Sequence, residues 1–277
     1  MNEFSQFSIE PFFLSNNAGA IFCVYTAPAN SRPHTSIIYL HPFAEEMHKS
    51  RRMSSLQAKR FAEEGYAVLQ LDLVGCGDSS GDFEDATFEN WEACIHMGYN
   101  WLVNKTNTPV YLWGLRLGAT LAAKIVSQLQ IAGLILWQPI ANGENYLNQF
   151  LRIRVASEML ASTQQYLGIK QLRNQLASGA SVEVGGYTLS PRLASDIDNI
   201  ALTEMYVNCN VCWVEIIQNS NEAILPTSLN IIETWSNRGV NVKKTVVFGE
   251  PFWASQEIKE NKNLLTKTVE LTTQLIS

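Results

Sequence analysis

The feature that most restricts the fold of this chain is the alternation of short buried strands with amphipathic helices. Near-continuous runs of β-branched and aromatic residues, such as 66–72 and 133–139, are separated by segments with helical periodicity. Strands of this kind are buried on both faces, and their alternation with helices is typical of βαβ units. The sequence therefore predicts an α/β fold with a mostly parallel central sheet and helices on both of its faces.

Two parts of the chain depart from this alternation. At the start, the runs at 12–14 and 20–27 are separated by a turn-rich linker, which predicts an antiparallel pair of strands before the parallel part. Between 140–205 the pattern is helical, and the only strand signal is a candidate hairpin, VEVGGYTL. We expect this segment to form an inserted cap on a core built from residues 1–139 and 206–277.

Charge and composition exclude several classes of protein. Twenty basic and twenty-six acidic residues give a net charge of -6, which argues against partners such as nucleic acid or an anionic membrane surface. Because no apolar run approaches ~20 residues and the first residues do not resemble a signal peptide, we expect no membrane span and a cytoplasmic location. The five cysteines do not form a disulfide framework, and Cys209 and Cys212 lack a second ligand pair for zinc. We expect neither a metal nor a cofactor.

Unusual motifs follow four of the predicted strands, at the edge where open parallel sheets bind ligands. They are HPFAEEMHKSRRM from His41, DLVGCGDSSGD from Asp72, WGLRLGA from Trp113 and GEPFWASQEI from Gly249. In this order they resemble the α/β-hydrolase fold. Together with WQPIANGENYLNQFLRIR and VEVGGYTL, they resemble more narrowly the exosortase A system-associated hydrolase 2 family. That resemblance implies hydrolysis of an ester, thioester or similar acyl bond during exopolysaccharide or lipid-linked glycan production, with proteins of such a system as partners.

The catalytic triad of α/β-hydrolases does not match this sequence. The nucleophile belongs at the centre of G-x-S-x-G, on a strained turn between a strand and a helix. Here the centre of GLRLG is Arg116, whose guanidinium stays protonated and cannot be a nucleophile. All four histidines lie in the first hundred residues, so none follows the last strand, where the resemblance places the base. Glu222 matches the acid, and we expect the usual serine and histidine to be absent.

Two roles for Arg116 remain open. Beside a helix N-terminus and the backbone N–H groups of Phe43 and Leu117, which match the oxyanion positions, it would form a site for an anionic ligand. Alternatively, it pairs with a nearby carboxylate and seals the former active site. The carboxylates in question are Glu45, Glu46 and Asp72. The first role predicts a non-catalytic protein that binds an anionic metabolite or a partner peptide.

Two other nucleophiles are weaker candidates. Ser79 is the centre of GDSSG, but this string lies inside a loop rather than between a strand and a helix, which favours a turn or capping role. Cys76 lies in the same loop, and His41 on the adjacent strand end is a conceivable base for a relocated dyad. Alternatively, Cys76 is buried and unreactive and packs as a small apolar residue, as most buried cysteines do.

Charged and aromatic residues near the same edge are further candidates for substrate or anion binding. They are Glu45, Glu46, Arg51, Arg52 and Asp78 after the first two parallel strands, Arg152 and Arg154 in the cap, and Trp253 after the last strand. Each has a structural alternative. A mixed run of charges is usually a solvated helix face, cap arginines often form surface salt bridges, and the tryptophan could pack the last helix on the sheet.

Overall fold

The computed structural model describes residues 6–16, 19–161, 167–219 and 223–276. Within these ranges the strands are β1 Phe7–Asn16, β2 Gly19–Pro28, β3 Thr35–Leu40, β4 Tyr66–Leu71, β5 Val110–Leu115, β6 Gly133–Trp137, β7 Val182–Val184, β8 Tyr187–Leu189, β9 Asn210–Ile217 and β10 Val242–Phe248. All except β7 and β8 form one sheet in the order β1-β2-β4-β3-β5-β6-β9-β10. Strand β2 is antiparallel to β1 and β4, and the remaining pairs are parallel. The predicted fold class and the predicted opening antiparallel pair are confirmed.

Helices cover both faces of this sheet. They are α1 Glu45–Glu63, α2 Phe88–Thr106, α3 Leu117–Ile125, α4 Gly143–Leu160, α5 Ile169–Ala177, α6 Pro191–Asp198, α7 Pro226–Asn237 and α8 Lys262–Ile276. Helices α1 and α8 pack on one face, and α2, α3 and α7 pack on the other, each group around its own cluster of buried apolar side chains. Among the helices of the described ranges, none is long and apolar enough to cross a membrane.

Tryptophans dominate the core between the sheet and α8. Trp113 of β5 and Trp137 of β6 meet edge to face with ring centroids 4.9 Å apart, and both are fully buried. The indole N–H of Trp137 donates to Thr268 Oγ1 of α8 at 2.9 Å, which satisfies the polar end of a buried ring. Phe252 continues this stack and contacts Trp253. The stack thereby holds the segment after β10 against the strand ends.

Helix α1 begins earlier than its sequence pattern indicates. The sequence pattern predicts a helix from 53 to 64, and it predicts that the charged string before it is a binding loop or a solvated helix face. The helix begins at Glu45, so that expected start is wrong and the string forms its first two turns. Glu45 and Glu46 lie in the first turn, where carboxylates interact favourably with the positive end of the helix dipole. The charged side chains are therefore held on a rigid element close to the strand ends.

The segment between β6 and β9 contains α4, α5, the hairpin β7-β8 and α6. The Asn142 side chain caps α4 by accepting from the Asn145 N–H at 2.8 Å, and Ser190 caps α6 in the same way. Helix α4 packs against α5, α6 and β7. The predicted hairpin is confirmed, and the division of the chain into a core and a cap stays a prediction.

Candidate functional site at the strand ends

Arg116 occupies a strained turn between β5 and α3. Its backbone angles are φ 55° and ψ -120°, which is unusual for a residue other than glycine. The flanking glycines are required by close approach, since a Cβ at Gly114 would overlap the Ala119 nitrogen and a Cβ at Gly118 would overlap the Leu40 carbonyl oxygen. This strand, turn and helix have the geometry of a nucleophile elbow. An arginine stands where the elbow presents its nucleophile.

The Arg116 side chain has one carboxylate partner and two aromatic neighbours. Its Nε donates to Glu46 Oε1 at 3.3 Å, and the Tyr146 hydroxyl donates to Glu46 Oε2 at 2.9 Å. The guanidinium carbon lies 5.4 Å from the ring centroid of Tyr146 and 5.3 Å from that of Trp253, within the range of cation–π contacts. Of the three carboxylates considered from the sequence, Glu46 is therefore the one that pairs with the arginine.

Burial and charge act against each other within this cluster. Burial raises the pKa of Glu46 above its usual value, while Arg116 and the Tyr146 hydroxyl favour the ionised form. Burial and the neighbouring carboxylate raise the pKa of Tyr146, so its phenol remains a hydrogen-bond donor. The side chains of Arg116 and Glu46 are 17% and 20% exposed, respectively. The pair is therefore shielded from solvent but not sealed from it.

The backbone N–H groups at the two positions that match the oxyanion hole are unpaired within the described part of the chain. Over the described ranges, the N–H groups of Phe43 and Leu117 donate to no protein acceptor. Leu117 is the first residue of α3, where the helix leaves its N–H groups without internal partners. The ring of Phe43 packs against Tyr146 and Phe150. The site thus combines free backbone donors with a guanidinium and aromatic walls.

The geometry does not support a dyad of Cys76 and His41. Both ring nitrogens of His41 are engaged: Nδ1 lies 2.7 Å from the Pro42 carbonyl oxygen, and Nε2 accepts from the Leu73 N–H at 3.2 Å. Burial lowers the pKa of His41, so the ring is held neutral as a link between two strand ends. Burial and the nearby Asp72 carboxylate raise the pKa of Cys76 to about 12. These contacts match the structural alternative for Cys76, and they give His41 a structural role.

Ser79 anchors a loop and does not occupy an elbow. Its hydroxyl donates to the Asp72 carbonyl oxygen at 2.6 Å and accepts from the Phe22 N–H at 2.8 Å. The Asp72 side chain supports the same loop, since Oδ2 accepts from the Asp78 N–H at 3.1 Å and pairs with Arg51 Nη2 at 2.7 Å. Over the described residues, no hydrogen bond or ion pair joins Asp72 to Arg116. Asp78 contributes to this loop through its backbone N–H.

Most of the other predicted binding residues have structural contacts. Glu45 is exposed and accepts from the Tyr187 hydroxyl at 3.3 Å, which ties α1 to the β7-β8 hairpin. Arg52 pairs with Glu260 at 2.7 Å, and both side chains are exposed to solvent. Arg154 pairs with Glu158 at 2.7 Å and donates to the carbonyl oxygen of Glu183. The last two predicted residues are Arg152, which is exposed on α4, and Glu222, which lies outside the described residues.

Sequence reasoning missed two residues, Tyr146 and Glu215. Tyr146 lies in the unusual string WQPIANGENYLNQFLRIR, but nothing in that string indicates that its hydroxyl reaches Glu46. Glu215 is 1% exposed in β9, where it accepts from Trp213 Nε1 at 3.2 Å and from the Leu225 N–H at 2.9 Å. The signal for Glu215 was a single acidic residue inside an apolar strand, since buried carboxylates require partners.

Comparison with known proteins identifies the family. The profile of the family described as serine aminopeptidase, S33, matches residues 31–213, which is more than half of the chain. The chain belongs to this hydrolase family. It is 33% identical over 85 residues to the thermostable monoacylglycerol lipase of Bacillus sp. (strain H-257), and 33% identical over 112 residues to human protein ABHD12B. These alignments cover 31% and 38% of this chain. They span 32% and 30% of the relatives' own length, so the chain matches about a third of each.

Solved structures show the same fold over nearly the whole chain. Est1E from Butyrivibrio proteoclasticus, with ferulic acid bound, superposes with a TM-score of 0.71 at 16% identity, covering 96% of this chain and 99% of that one. A carboxyl esterase from Bacillus coagulans gives a TM-score of 0.63 at 14% identity, covering 98% and 99%. One of these relatives is named a monoacylglycerol lipase and another a carboxyl esterase, and at these identities the superpositions establish the α/β-hydrolase fold.

Proposed function

We propose that this protein binds an anionic ligand at the elbow and does not catalyse hydrolysis through a serine and a histidine. The observation that carries the proposal is Arg116 at the elbow turn, with a side chain that is neither a nucleophile nor a base. The retained elbow keeps the geometry that presents a group to a ligand. The group presented is a permanent positive charge, which changes the chemistry from attack on a carbonyl to capture of an anion.

The donors around Arg116 outnumber the acceptors that the protein supplies. A guanidinium has five N–H groups, and Arg116 uses only its Nε on Glu46 within the described part of the chain. The N–H groups of Phe43 and Leu117 add two backbone donors, and the positive end of α3 favours negative charge at the same place. A ligand carboxylate or phosphate would accept from these free donors while Glu46 keeps the arginine in position.

The walls of the site favour a ligand whose anionic group is attached to an apolar or aromatic body. Tyr146 and Trp253 flank the guanidinium, and Phe43 packs beside them. The solved structure of Est1E holds ferulic acid, a carboxylic acid with an aromatic ring. The relative from Bacillus sp. (strain H-257) is named as a monoacylglycerol lipase. A small acyl or glycan-linked compound with a carboxylate or phosphate group is therefore the proposed ligand class.

The wider context is also a proposal, supported by the long motifs that resemble the exosortase A system-associated hydrolase 2 family. It would place the protein in the cytoplasm beside proteins of exopolysaccharide production. Affinity purification from the source cells, followed by mass spectrometry, tests the partners. Enrichment of proteins from such a system would support this context, and a partner set without them would contradict it.

A second candidate, hydrolysis of an ester or thioester, is favoured by the family and by the free N–H groups at the oxyanion positions. Burial raises the pKa of Glu46, which suits its carboxylate to act as a general base in this route. It would take a proton from the water whose oxygen bonds to the acyl carbon. The bond from that carbon to the leaving oxygen or sulfur would then break, and the leaving atom would receive the proton. Release of p-nitrophenol from p-nitrophenyl butyrate tests it. The binding proposal predicts that the native protein hydrolyses this ester no faster than the Glu46→Gln variant does. Activity that is present in the native protein and lost in Glu46→Gln would instead support hydrolysis.

Ligand-induced shifts in melting temperature test the binding proposal directly. A ligand that binds only the folded state raises its stability by mass action. We expect ferulate, butyrate or inorganic phosphate to raise the melting temperature of the native protein and to fail with Arg116→Leu. Arg192→Leu is the matched control, because this exposed arginine pairs only with Asp196 within its own helix among the described residues. Shifts that persist in Arg116→Leu, or no shift with any probe, would contradict the proposal.

A further inference from the structure

Lys49 of α1 lies near the Arg116–Glu46 pair and has no carboxylate partner of its own. It follows Glu45 by four residues and Glu46 by three, and both spacings allow an ion pair on a helix. Neither pair forms, and over the described residues no hydrogen bond or salt bridge engages the half-buried Lys49 side chain. The charge of Lys49 nevertheless acts to lower the pKa of Glu46, so its ammonium group is close to that carboxylate. Two cations therefore share one carboxylate.

The other charges near this cluster do not cancel the surplus of positive charge. Among the described residues, the neighbouring acidic side chains have partners elsewhere: Glu45 accepts from Tyr187, Asp72 pairs with Arg51, and Glu260 pairs with Arg52. Glu45 is also exposed, so solvent screens its charge. Burial raises the pKa of Glu46, which further weakens it as a counter-charge for two cations. The cluster therefore calls for additional negative charge.

Two helix N-termini lie near the same cluster. Helix α1 begins after Ala44 and α3 begins after Arg116, and the backbone angles of these two residues are alike, with φ 49° and ψ -129° at Ala44 and φ 55° and ψ -120° at Arg116. Neither residue caps its helix with a side-chain hydrogen bond. Both helices begin next to the end of β3, since α1 follows that strand and α3 packs against it. Their positive ends favour an anion there.

The available donors come from separate parts of the fold. The Nη groups of Arg116 form no hydrogen bond within the described part of the chain, and neither does the Lys49 ammonium group. The first N–H group of each helix, at Glu45 and Leu117, donates to no protein acceptor over the described ranges. A carboxylate is planar and has two oxygens, whereas a phosphoryl group carries three acceptor oxygens and about two negative charges at neutral pH. The phosphoryl group matches this set of donors better in both number and charge.

We propose that the anionic group bound at the elbow is a phosphate monoester, held between the Arg116 guanidinium and the Lys49 ammonium group. This inference rests on the proposed function, the binding of an anion at Arg116, and narrows its ligand class. An arginine grips phosphate with parallel N–H donors, and a lysine adds a point charge on a flexible four-carbon stem that can turn towards the remaining oxygen. Tyr146 and Trp253 would contact the apolar body of the ester. The ester is either a soluble compound or a lipid headgroup, and its chemistry at the two cations is the same.

Isothermal titration calorimetry with phenyl phosphate and phenyl sulfate tests the charge of the ligand. The two compounds have similar shapes, but at pH 8 the phosphate carries two negative charges and the sulfate carries one. We expect the native protein to bind phenyl phosphate at least tenfold more tightly. Lys49→Met keeps most of the apolar stem and should weaken the binding of phenyl phosphate about tenfold, the effect of one hydrogen bond to a charged group. Lys59→Met is the matched control, since Lys59 is also a half-buried lysine of α1 without an ion pair among the described residues, and it should leave both affinities unchanged.

The outcomes separate this inference from the proposed function. Equal affinities for the two compounds in the native protein, or undiminished binding of phenyl phosphate by folded Lys49→Met, would overturn the phosphate inference and leave the proposed function standing if binding is lost in Arg116→Leu. Binding of neither compound, or binding that persists in Arg116→Leu, would overturn both. Thermal melting shows that each variant is folded. Flotation with phosphatidylcholine vesicles, with and without phosphatidic acid, assigns the source of the ester: recruitment by phosphatidic acid that Lys49→Met abolishes identifies a lipid headgroup, and its absence identifies a soluble ester.

Discussion

Two five-residue segments of this chain begin and end with glycine, and the structure uses them in opposite ways. The segment at 114–118 has the strained turn of a nucleophile elbow but carries Arg116 at its centre. The segment at 77–81 has the letters of the elbow motif, with Ser79 at its centre, but forms a loop whose serine hydroxyl is bound on both sides by backbone groups. An elbow is therefore specified by the strand and helix around it and not by the five letters alone.

The glycines of the two segments are needed for different reasons. In the elbow, Gly118 passes so close to β3 that a Cβ would overlap the Leu40 and His41 carbonyl oxygens. In the loop, Gly77 and Gly81 have φ angles of 59° and 87°, which side chains rarely adopt, and an added Cβ at Gly77 would meet side-chain atoms of Asp72 and Arg51 rather than backbone. Close backbone approach and left-handed backbone conformation cost different amounts of free energy when a side chain is added, so substitution distinguishes the two segments.

The largest effect is expected for Gly118→Ala. Because the new Cβ would meet backbone atoms of β3 that cannot move independently of the sheet, we expect a loss of ~3 kcal/mol or more in the free energy of unfolding. Gly239→Ala is the matched control, since it has φ 90° and nothing within 4 Å of an added Cβ. Its loss should be ~1 to 2 kcal/mol, from backbone conformation alone. Urea unfolding measures both, and equal losses would contradict the close-approach argument.

The next effect is expected for Arg116→Leu, which leaves the Glu46 carboxylate without its cation. Full burial would make this cost ~3 to 5 kcal/mol, and the one-fifth exposure of the pair reduces our expectation to ~2 kcal/mol at pH 7. Glu46 already has a raised pKa in the folded protein, and removal of Arg116 raises it further. A carboxyl with a raised folded-state pKa binds its proton more tightly when folded, so its unfavourable effect grows as pH rises and disappears as pH falls.

The difference in stability between the native protein and Arg116→Leu should therefore shrink as pH falls from 8 towards 4.5, as followed by urea unfolding. Combining Arg116→Leu with Glu46→Gln should recover part of the lost stability at pH 7 and remove this pH dependence. A difference that stays constant over the whole range would show that the loss comes from packing with Tyr146 and Trp253 and not from the charge.

A smaller effect is expected for Ser79→Ala in the loop. The substitution leaves the Phe22 N–H and the Asp72 carbonyl oxygen without their partner, which should cost ~1 to 2 kcal/mol. Ser80→Ala removes a similar pair of bonds to Ala20 at an exposed position, where water replaces them, and should cost less. A serine-directed fluorophosphonate should label neither the native protein nor either variant. Labelling at Ser79 would contradict its structural role.

The smallest effect concerns Cys76, close to the same loop. Because burial raises its pKa to about 12, little thiolate exists at neutral pH, and alkylation by iodoacetamide should be slow and should rise steadily between pH 7 and 9. Mass spectrometry of tryptic peptides follows the reaction at each cysteine. Rapid alkylation below pH 7 that His41→Ala abolishes would instead identify a relocated cysteine dyad.

The sequence by itself determined the order of the strands along the chain, the opening antiparallel pair and the place of the elbow. These properties follow from local patterns, namely apolar periodicity, turn-forming linkers and two glycines that frame a strand-to-helix turn. The identity of Arg116 as the central residue also required no structure, since the sequence predicts a strand that runs into GLRLG and a helix directly after it. The sequence pattern did not predict the start of α1, because a run of charged residues is compatible with both a loop and a solvated helix face.

Only the tertiary structure decided which carboxylate meets Arg116. Glu45 and Glu46 are adjacent in sequence, but successive residues of a helix point about 100° apart, so the position of α1 on the sheet turns Glu46 to the elbow and leaves Glu45 exposed. The Tyr146 hydroxyl reaches the same carboxylate from a residue 100 positions away, and Arg116 lies 70 positions from it. Contacts over such separations depend on how the elements pack, which local sequence patterns do not encode.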